Sequence, residues 1–274
     1  MPSTEFVTGS PNWLDLGSPD TAASAGFYGR VFGWDVQAAG PDTGGYAFFQ
    51  KDGKDVAALG PLTEEGASPA WTVYFQTPDA DATVKAAEQA GGAVRVPPTD
   101  VMDAGRLACL TDPGGAEFAL WQPGAVKGLE RVREPDTLLW VELHTADPAA
   151  AGAFYRALFG WGTEAREFSG VGTYTLLSTA GGTGAESAFG GIAPALGERG
   201  AGDGDGDGNG ADRTSRWIPY FLVVDTDATV ATAQESGGTV VAPANDVADV
   251  GRIAWLADPF GAVFGVLKPQ PRAA

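Results

Sequence analysis

The stretch NWLDLGSPDTAASAGFYGRVFGWDV (residues 12–36) returns as LWVELHTADPAAAGAFYRALFGWGT (139–163). At one constant offset Trp13 lies over Trp140, Asp20 over Asp147, Phe27 over Phe154, Tyr28 over Tyr155 and Trp34 over Trp161. Two further stretches repeat at a larger common offset. WTVYFQTPDADATVKAAEQAGG (71–92) matches WIPYFLVVDTDATVATAQESGG (217–238), and DAGRLACLTDPGGAEFALWQP (103–123) matches DVGRIAWLADPFGAVFGVLKP (249–269). The chain is therefore read as a tandem duplication. The first domain spans 8–124, a charged linker 125–136, and the second domain 137–270. Most of the extra length of the second half is ERGAGDGDGDGNGADR (198–213), which has no apolar face and is expected to be an exposed insert.

A weaker symmetry runs inside each half: a short apolar strand, an Asp, then an amphipathic helix. Asp20, Asp79, Asp147 and Asp225 have the character of N-caps, whose carboxylates accept the free N–H groups of the first helical turn. After Asp147, the residues Ala151, Phe154, Tyr155 and Leu158 fall at helical spacing. Glycines follow each helix, as a left-handed C-cap requires. Short alternating strands such as GYAFFQ, DVAALG and RLACLTD come next. The pattern is β-α-β-β-β four times over, and the expected class is α+β.

Composition excludes several functions. A net charge of −18 repels nucleic-acid phosphate and anionic membrane. The single cysteine, Cys109, permits no intrachain disulfide and no CxxC metal site. It sits between Ala108 and Leu110 in an apolar strand and is read as a buried small hydrophobe. MPSTEFVTGSPNW (1–13) has neither a basic region nor an apolar run, and no apolar run of about 18 residues occurs in the chain. The expectation is a cytoplasmic protein with a small-molecule partner, no nucleic acid and no membrane.

The strand-x-x-D-helix-FY-x-x-x-FGW opening and the GR-x-x-x-x-x-DP-x-G closing, each present twice, resemble the vicinal oxygen chelate superfamily. That group holds glyoxalases, extradiol dioxygenases, and fosfomycin-resistance and bleomycin-binding proteins. The chain looks most similar to two-domain glyoxalase-like proteins of high-GC bacteria that carry a hydroxylase label. The resemblance implies that two βαβββ units in each domain curl into an open β-cup holding a ligand. It also allows either a monomer with two cups or a homodimer.

Alternation assigns faces. In WLDLG, Leu14 and Leu16 oppose Trp13, Asp15 and Gly17; in WVELH, Val141 and Leu143 oppose Trp140, Glu142 and His144. The aliphatic face must meet the helices, so the Trp-carboxylate face lines the cup. Carried over by resemblance, the metal-ligand positions fall on Trp13 and Trp140, on Thr72 and Ile218, and on Ala119 and Gly265. None of these is an ordinary ligand, and the fourth strands offer only Asp55 and Glu186 near their beginnings. One histidine cannot make a facial triad of two histidines and a carboxylate. No metal and no cofactor is expected, and no haem motif or dinucleotide fingerprint supports a hydroxylase.

Three residues are candidates for chemistry. Glu142 and His144 share one strand face and could form a base and its tuning carboxylate, or a hydrogen-bonded wall. Asp15, the repeat partner of Glu142, could move a proton or meet a cation, or pair with an arginine at the rim. Trp13, Thr72, Tyr74, Arg106, Trp121, Trp140, Tyr220 and Arg252 are the expected ligand-binding residues. Trp71 and Trp217 alternate away from the cup, and Trp34 and Trp161 are expected in the core. DGDGDGNG (203–210) is superficially like a calcium loop but lacks the terminal glutamate, and is read as part of the insert. The leading functional expectation is metal-independent binding of a planar or cationic compound. The alternative is a metal-free lyase, isomerase or cyclase using Glu142 and His144 or Asp15. A divergent metal-dependent lyase or dioxygenase ranks third.

Overall fold

The computed structural model describes residues 2–62, 66–168, 172–182, 184–195 and 215–270. The insert at 198–213, and the calcium-loop-like stretch within it, lie outside these residues. Four βαβββ modules follow one another, as the internal symmetry predicts. The first is β1 (Pro11–Ser18), α1 (Thr21–Phe32), β2 (Asp35–Ala38), β3 (Ala47–Lys51) and β4 (Lys54–Pro61). The second is β5 (Ala70–Gln76), α2 (Ala80–Gln89), β6 (Ala93–Val101), β7 (Gly105–Thr111) and β8 (Glu117–Pro123). The third is β9 (Leu138–Thr145), α3 (Pro148–Phe159), β10 (Gly162–Phe168), β11 (Gly172–Ser178) and β12 (Ala188–Pro194). The fourth is β13 (Arg216–Leu222), α4 (Thr226–Glu235), β14 (Thr239–Val247), β15 (Gly251–Ala257) and β16 (Val263–Pro269).

Each half contributes one open eight-stranded sheet, in the order β2-β3-β4-β1-β5-β8-β7-β6 and its repeat β10-β11-β12-β9-β13-β16-β15-β14. The first strand of every module runs parallel to the last, and the remaining pairings within a module are antiparallel. The four predicted N-caps act as such. The Asp20, Asp79, Asp147 and Asp225 side chains accept from the N–H of Ala23, Ala82, Ala150 and Ala228 at 2.9–3.0 Å. Gly33 and Gly160 close α1 and α3 in the left-handed conformation, at φ 69° and 68°. In α3 the buried stripe is Ala151, Phe154, Tyr155 and Phe159, while Leu158 is half-exposed.

Compactness cuts across the two halves. One unit comprises Trp13–Val73, Leu129–Trp140 and Ile218–Ala274; the other comprises Met1–Asn12, Tyr74–Gly128 and Val141–Trp217. Each therefore joins one module from either half. In the first unit Tyr28, Phe32 and Trp34 pack against Phe221 and Phe264, with ring centroids 5.0–5.8 Å apart. The other unit repeats the arrangement: Tyr155 and Trp161 meet Phe75, Phe118 and Trp217. The FY and FGW motifs supply these rings, and offset or edge-on packing adds to their burial.

The DP-x-G motif gains its meaning in the same place. Asp258 Oδ1 accepts from the N–H of Phe260 and Ala262, a turn closed by Gly261 at φ 101°. Its Oδ2 accepts from the Tyr28 hydroxyl at 3.3 Å, and that hydroxyl accepts from the Trp71 indole at 3.0 Å. In the other unit Asp112 Oδ1 accepts from Gly114 and Ala116, its Oδ2 from Tyr155 at 3.1 Å, and Trp217 donates to Tyr155 at 2.8 Å. Burial first, then the facing aspartate, holds both tyrosines well above their ordinary pKa, so each stays a protonated donor. Trp71 and Trp217 thus belong to the core, as alternation indicates.

The linker is pinned rather than slack. Leu129 is buried, and the Glu130 carboxylate accepts from Lys54 and from the Asp55 N–H at 3.0 Å. These bonds hold the Glu130 carboxyl below its usual pKa. Among the described residues no helix is long and apolar enough to cross a membrane.

Replacing Tyr28 or Tyr155 by Phe leaves a buried indole N–H and a buried carboxylate oxygen each short of a partner. We expect either change to cost about 1–3 kcal/mol in urea unfolding. Unaltered midpoints in both variants would show these hydrogen bonds to be dispensable.

Candidate functional site

Each module has a helix-packed face and a helix-free face, and the strand alternation expected from sequence holds. In β1, Leu14 and Leu16 are fully buried on the helix side, while Asp15 and Gly17 are half-exposed on the other. The register places Asp15 beside Ala58 and Gly17 beside Gly60, and sets Ala58 against Phe48. Tyr46, which leads into β3, completes this wall. Its hydroxyl donates to Asp15 Oδ1 at 2.5 Å, and the Trp13 indole donates to the same oxygen at 2.9 Å and to the tyrosine oxygen at 3.0 Å. Trp13 and Tyr46 both stand edge-on to the Phe48 ring, at 6.0 and 5.8 Å. The Tyr46 pKa is raised well above its ordinary value, by burial first and then by Asp15, so its hydroxyl remains a donor. The result is a carboxylate fixed at one oxygen and framed by three rings.

The repeat of this wall lies on β9, β11 and β12 in the other unit. Here Tyr174 donates to Glu142 Oε2 at 2.8 Å, and His144 Nε2 lies 2.7 Å from Glu142 Oε1. The structure thus brings the predicted Glu142 and His144 together. It also seals them: Glu142 is 6% and His144 1% exposed, and Tyr174 is buried as well. Gly191 stands beside Glu142 in register, and its missing side chain makes the room. A Cβ there would sit 2.1 Å from the Tyr174 hydroxyl. Trp140 is half-buried on the same strand.

The remaining modules carry the other expected ligand-binding residues. Thr72 is half-exposed on the helix-free side of β5. In the other unit Tyr74 pairs in register with Ala119, and Trp121 ties its indole to the Val126 carbonyl at 3.0 Å. Cys109, also in register with Ala119, is half-exposed on this face. It is therefore not the buried hydrophobe that its apolar neighbours suggest, since Ala108 and Leu110 take the helix side. Tyr220 lies across Gly265, where a Cβ would come within 2.4 Å of the ring, and its hydroxyl accepts from Trp255 at 2.5 Å.

Arg106 and Arg252 are corrections. Both share strand parity with the buried helix-side residues, and both reach the first turn of a helix. Arg106 pairs with Asp81 and Asp100, and Arg252 with Asp227 and Asp246. They brace α2 and α4 from the helix-packed face and do not share the helix-free face with Asp15 and Glu142. Tyr46, Phe48, Tyr174 and Trp255 are the wall residues that sequence reasoning missed. The signal was present: in GYAFFQ and GTYTLL alternation sets Tyr46 with Phe48 and Tyr174 with Leu176.

The donor atoms do not suit a divalent metal. At the carried-over ligand positions Trp13 offers an indole N–H already donating, and Ala119 and Gly265 offer no side-chain donor atom. The Tyr220 ring fills the space in front of Gly265. Among the described residues no group of three His, Cys, Asp or Glu side chains converges. Such a metal needs several anionic or imidazole ligands around open positions. The described residues do not fit one.

Comparison with known proteins agrees with the fold and the repeat. The family model of the Glyoxalase/Bleomycin resistance protein/Dioxygenase superfamily matches residues 10–120, and that of the Glyoxalase-like domain matches 140–267. The chain is 37% identical to "Putative glyoxylase CFP32" of Mycobacterium tuberculosis, over 98% of each protein. It is 41% identical to "Anthracycline biosynthesis protein DnrV" of Streptomyces peucetius, over 97% of this chain and 95% of that one. Among solved structures, the Mn(II)-bound glyoxalase of Novosphingobium aromaticivorans superposes with a TM-score of 0.60 at 17% identity, covering 95% of this chain and 82% of that one. The 2,3-dioxygenase LapB of Pseudomonas gives 0.64 at 12%, covering 98% and 95%. At such identities these two structures speak to the fold alone. On the two family matches and the near full-length relatives, the chain belongs to the glyoxalase/bleomycin resistance protein/dioxygenase superfamily.

Proposed function

We propose that this chain binds a planar or cationic small molecule on its aromatic, acid-bearing sheet faces, without a protein-held metal. The observation that carries the reading is the wall of Trp13, Asp15, Tyr46 and Phe48. Three rings and one carboxylate converge there on a half-exposed strand face. Aromatic faces stack on flat ligands and attract cations, and a fixed carboxylate orients them. The relatives named for anthracycline biosynthesis favour the same reading, since anthracyclines are planar polycyclic compounds.

A second reading is a metal-free lyase, isomerase or cyclase. The 2.7 Å approach of His144 to Glu142 favours it, because a carboxylate beside an imidazole is a ready proton-transfer pair. Against it stands the burial of both side chains, which keeps a substrate from them in this conformation.

Two measurements test these readings. Protein purified without a His tag should carry well under one divalent ion per chain, and doxorubicin binding, followed by fluorescence quenching, should be unchanged by EDTA. A stoichiometric ion whose removal abolishes binding would overturn the metal-free reading. Where turnover of any compound is found, His144→Ala and Glu142→Gln should each reduce it by roughly 10²–10⁴-fold if the pair moves a proton. Full turnover in both variants would eliminate the second reading.

A further inference from the structure

The duplicated walls seat their tyrosines on different rows of the sheet, and a reciprocal exchange of glycine and alanine accounts for it. In one wall Ala58 stands beside Asp15 and Gly60 beside Gly17; in the other Gly191 stands beside Glu142 and Ala193 beside His144. The hairpin registers carry Tyr46 toward Gly60 and Tyr174 toward Ala193. Tyr46 stays in its own row. Its ring lies against Gly60, where a Cβ would come 3.3 Å from Cδ2. Ala193 puts a methyl group in the corresponding row under Tyr174. That ring leans over to Gly191 instead, where a Cβ would run into the hydroxyl and the ring carbons beside it. Ala58 bars the same place to Tyr46. Each tyrosine therefore lies on whichever of the two positions is glycine, and exposure follows. Tyr46 and Asp15 are half-exposed, whereas Tyr174, Glu142 and His144 are 8%, 6% and 1% exposed.

Resting on the proton-transfer reading above, we infer that Tyr174 is a plug. Seated on Gly191, it closes the Glu142–His144 pair, and its departure from that seat opens the pair to small molecules. The seated hydroxyl donates to Glu142 Oε2 at 2.8 Å, and the opposite oxygen lies 2.7 Å from His144 Nε2. That hydrogen bond and the burial of the ring favour the closed arrangement. Opening is a change of rotamer in one side chain, with the strand register kept. The burial that holds a substrate away from the pair thus belongs to the closed state of the wall. Gly191 makes the seat, so an alanine there holds the plug off while Tyr174, Glu142 and His144 all remain.

His144 is the chain's one histidine, so its acylation by diethyl pyrocarbonate reports this pair alone. The reaction is followed by the ultraviolet absorbance of the acylated imidazole, on the untagged full chain. The folded wild type should react slowly, and its rate should stay flat in urea below the unfolding transition. A plug that swings out exposes little surface, whereas global unfolding exposes much. Gly191→Ala and Tyr174→Ala should each react at least about tenfold faster than wild type, with circular dichroism establishing that they are folded. Tyr174→Phe keeps the ring on its seat and should remain closer to wild type than to Tyr174→Ala. Wild-type rates in both Gly191→Ala and Tyr174→Ala would overturn the inference. So would a wild-type rate that climbs with urea along the global unfolding slope, a result that needs no variant to fold. Fast labelling of the two variants, together with turnover that survives His144→Ala, would remove the enzymatic reading and leave the plug standing.

Discussion

In each compact unit a helix tyrosine from one half of the chain donates its hydroxyl to the aspartate of a DP turn from the other half. Tyr28 reaches Asp258, and Tyr155 reaches Asp112. Both aspartates are almost wholly buried, and burial pushes their carboxyl pKa values up despite the backbone N–H groups they accept from. The cost of burying these carboxylates is tolerable only because each has a full set of donors. Around them lie four of the eight tryptophans, so the location of each core follows from where the tyrosine and the turn meet. With Trp34, Trp71, Trp161 and Trp217 committed there, the other four tryptophans, Trp13, Trp121, Trp140 and Trp255, are left to the helix-free strand faces beside the polar residues. That division of labour creates the walls on which Asp15 and Glu142 stand.

The same scaffold then supports two different polar arrangements. Near Asp15 two neutral donors orient one carboxylate oxygen at a half-exposed strand. Near Glu142 an imidazole and a tyrosine hydroxyl meet both oxygens in a dry setting. The buried wall holds His144 at the position where the half-exposed one holds Gly17. Among the described residues neither wall gathers three His, Cys, Asp or Glu side chains. The superfamily's fold is retained here, and the fold by itself cannot choose between holding a compound and transforming it.

Much of this was legible in the residues. Period-two alternation placed Trp13 with Asp15 and Glu142 with His144, and it sent Trp71 and Trp217 to the core. The four aspartate caps and the βαβββ count followed from local backbone needs, which act within a few residues. What sequence could not supply was contact between distant strands. Alternation marks the face of Tyr46 and Tyr174, but not that each reaches a carboxylate on a strand some thirty residues away. Arg106 and Arg252 misled because an arginine beside a glycine turn looks like a rim cation, and only the helix positions of Asp81 and Asp227 show otherwise. Cys109 misled by its apolar neighbours, although the alternation that buries Ala108 and Leu110 turns it the other way.

The most direct test watches the eight tryptophan indole N–H signals by NMR. A ligand held at the Asp15 wall must disturb the Trp13 indole, whose N–H points at that carboxylate. Titration with doxorubicin should move the Trp13 signal, while stoichiometric Mn(II) should broaden no indole selectively. Selective broadening of Trp13 by one equivalent of Mn(II), with no response to doxorubicin, would contradict a metal-free ligand site at Asp15.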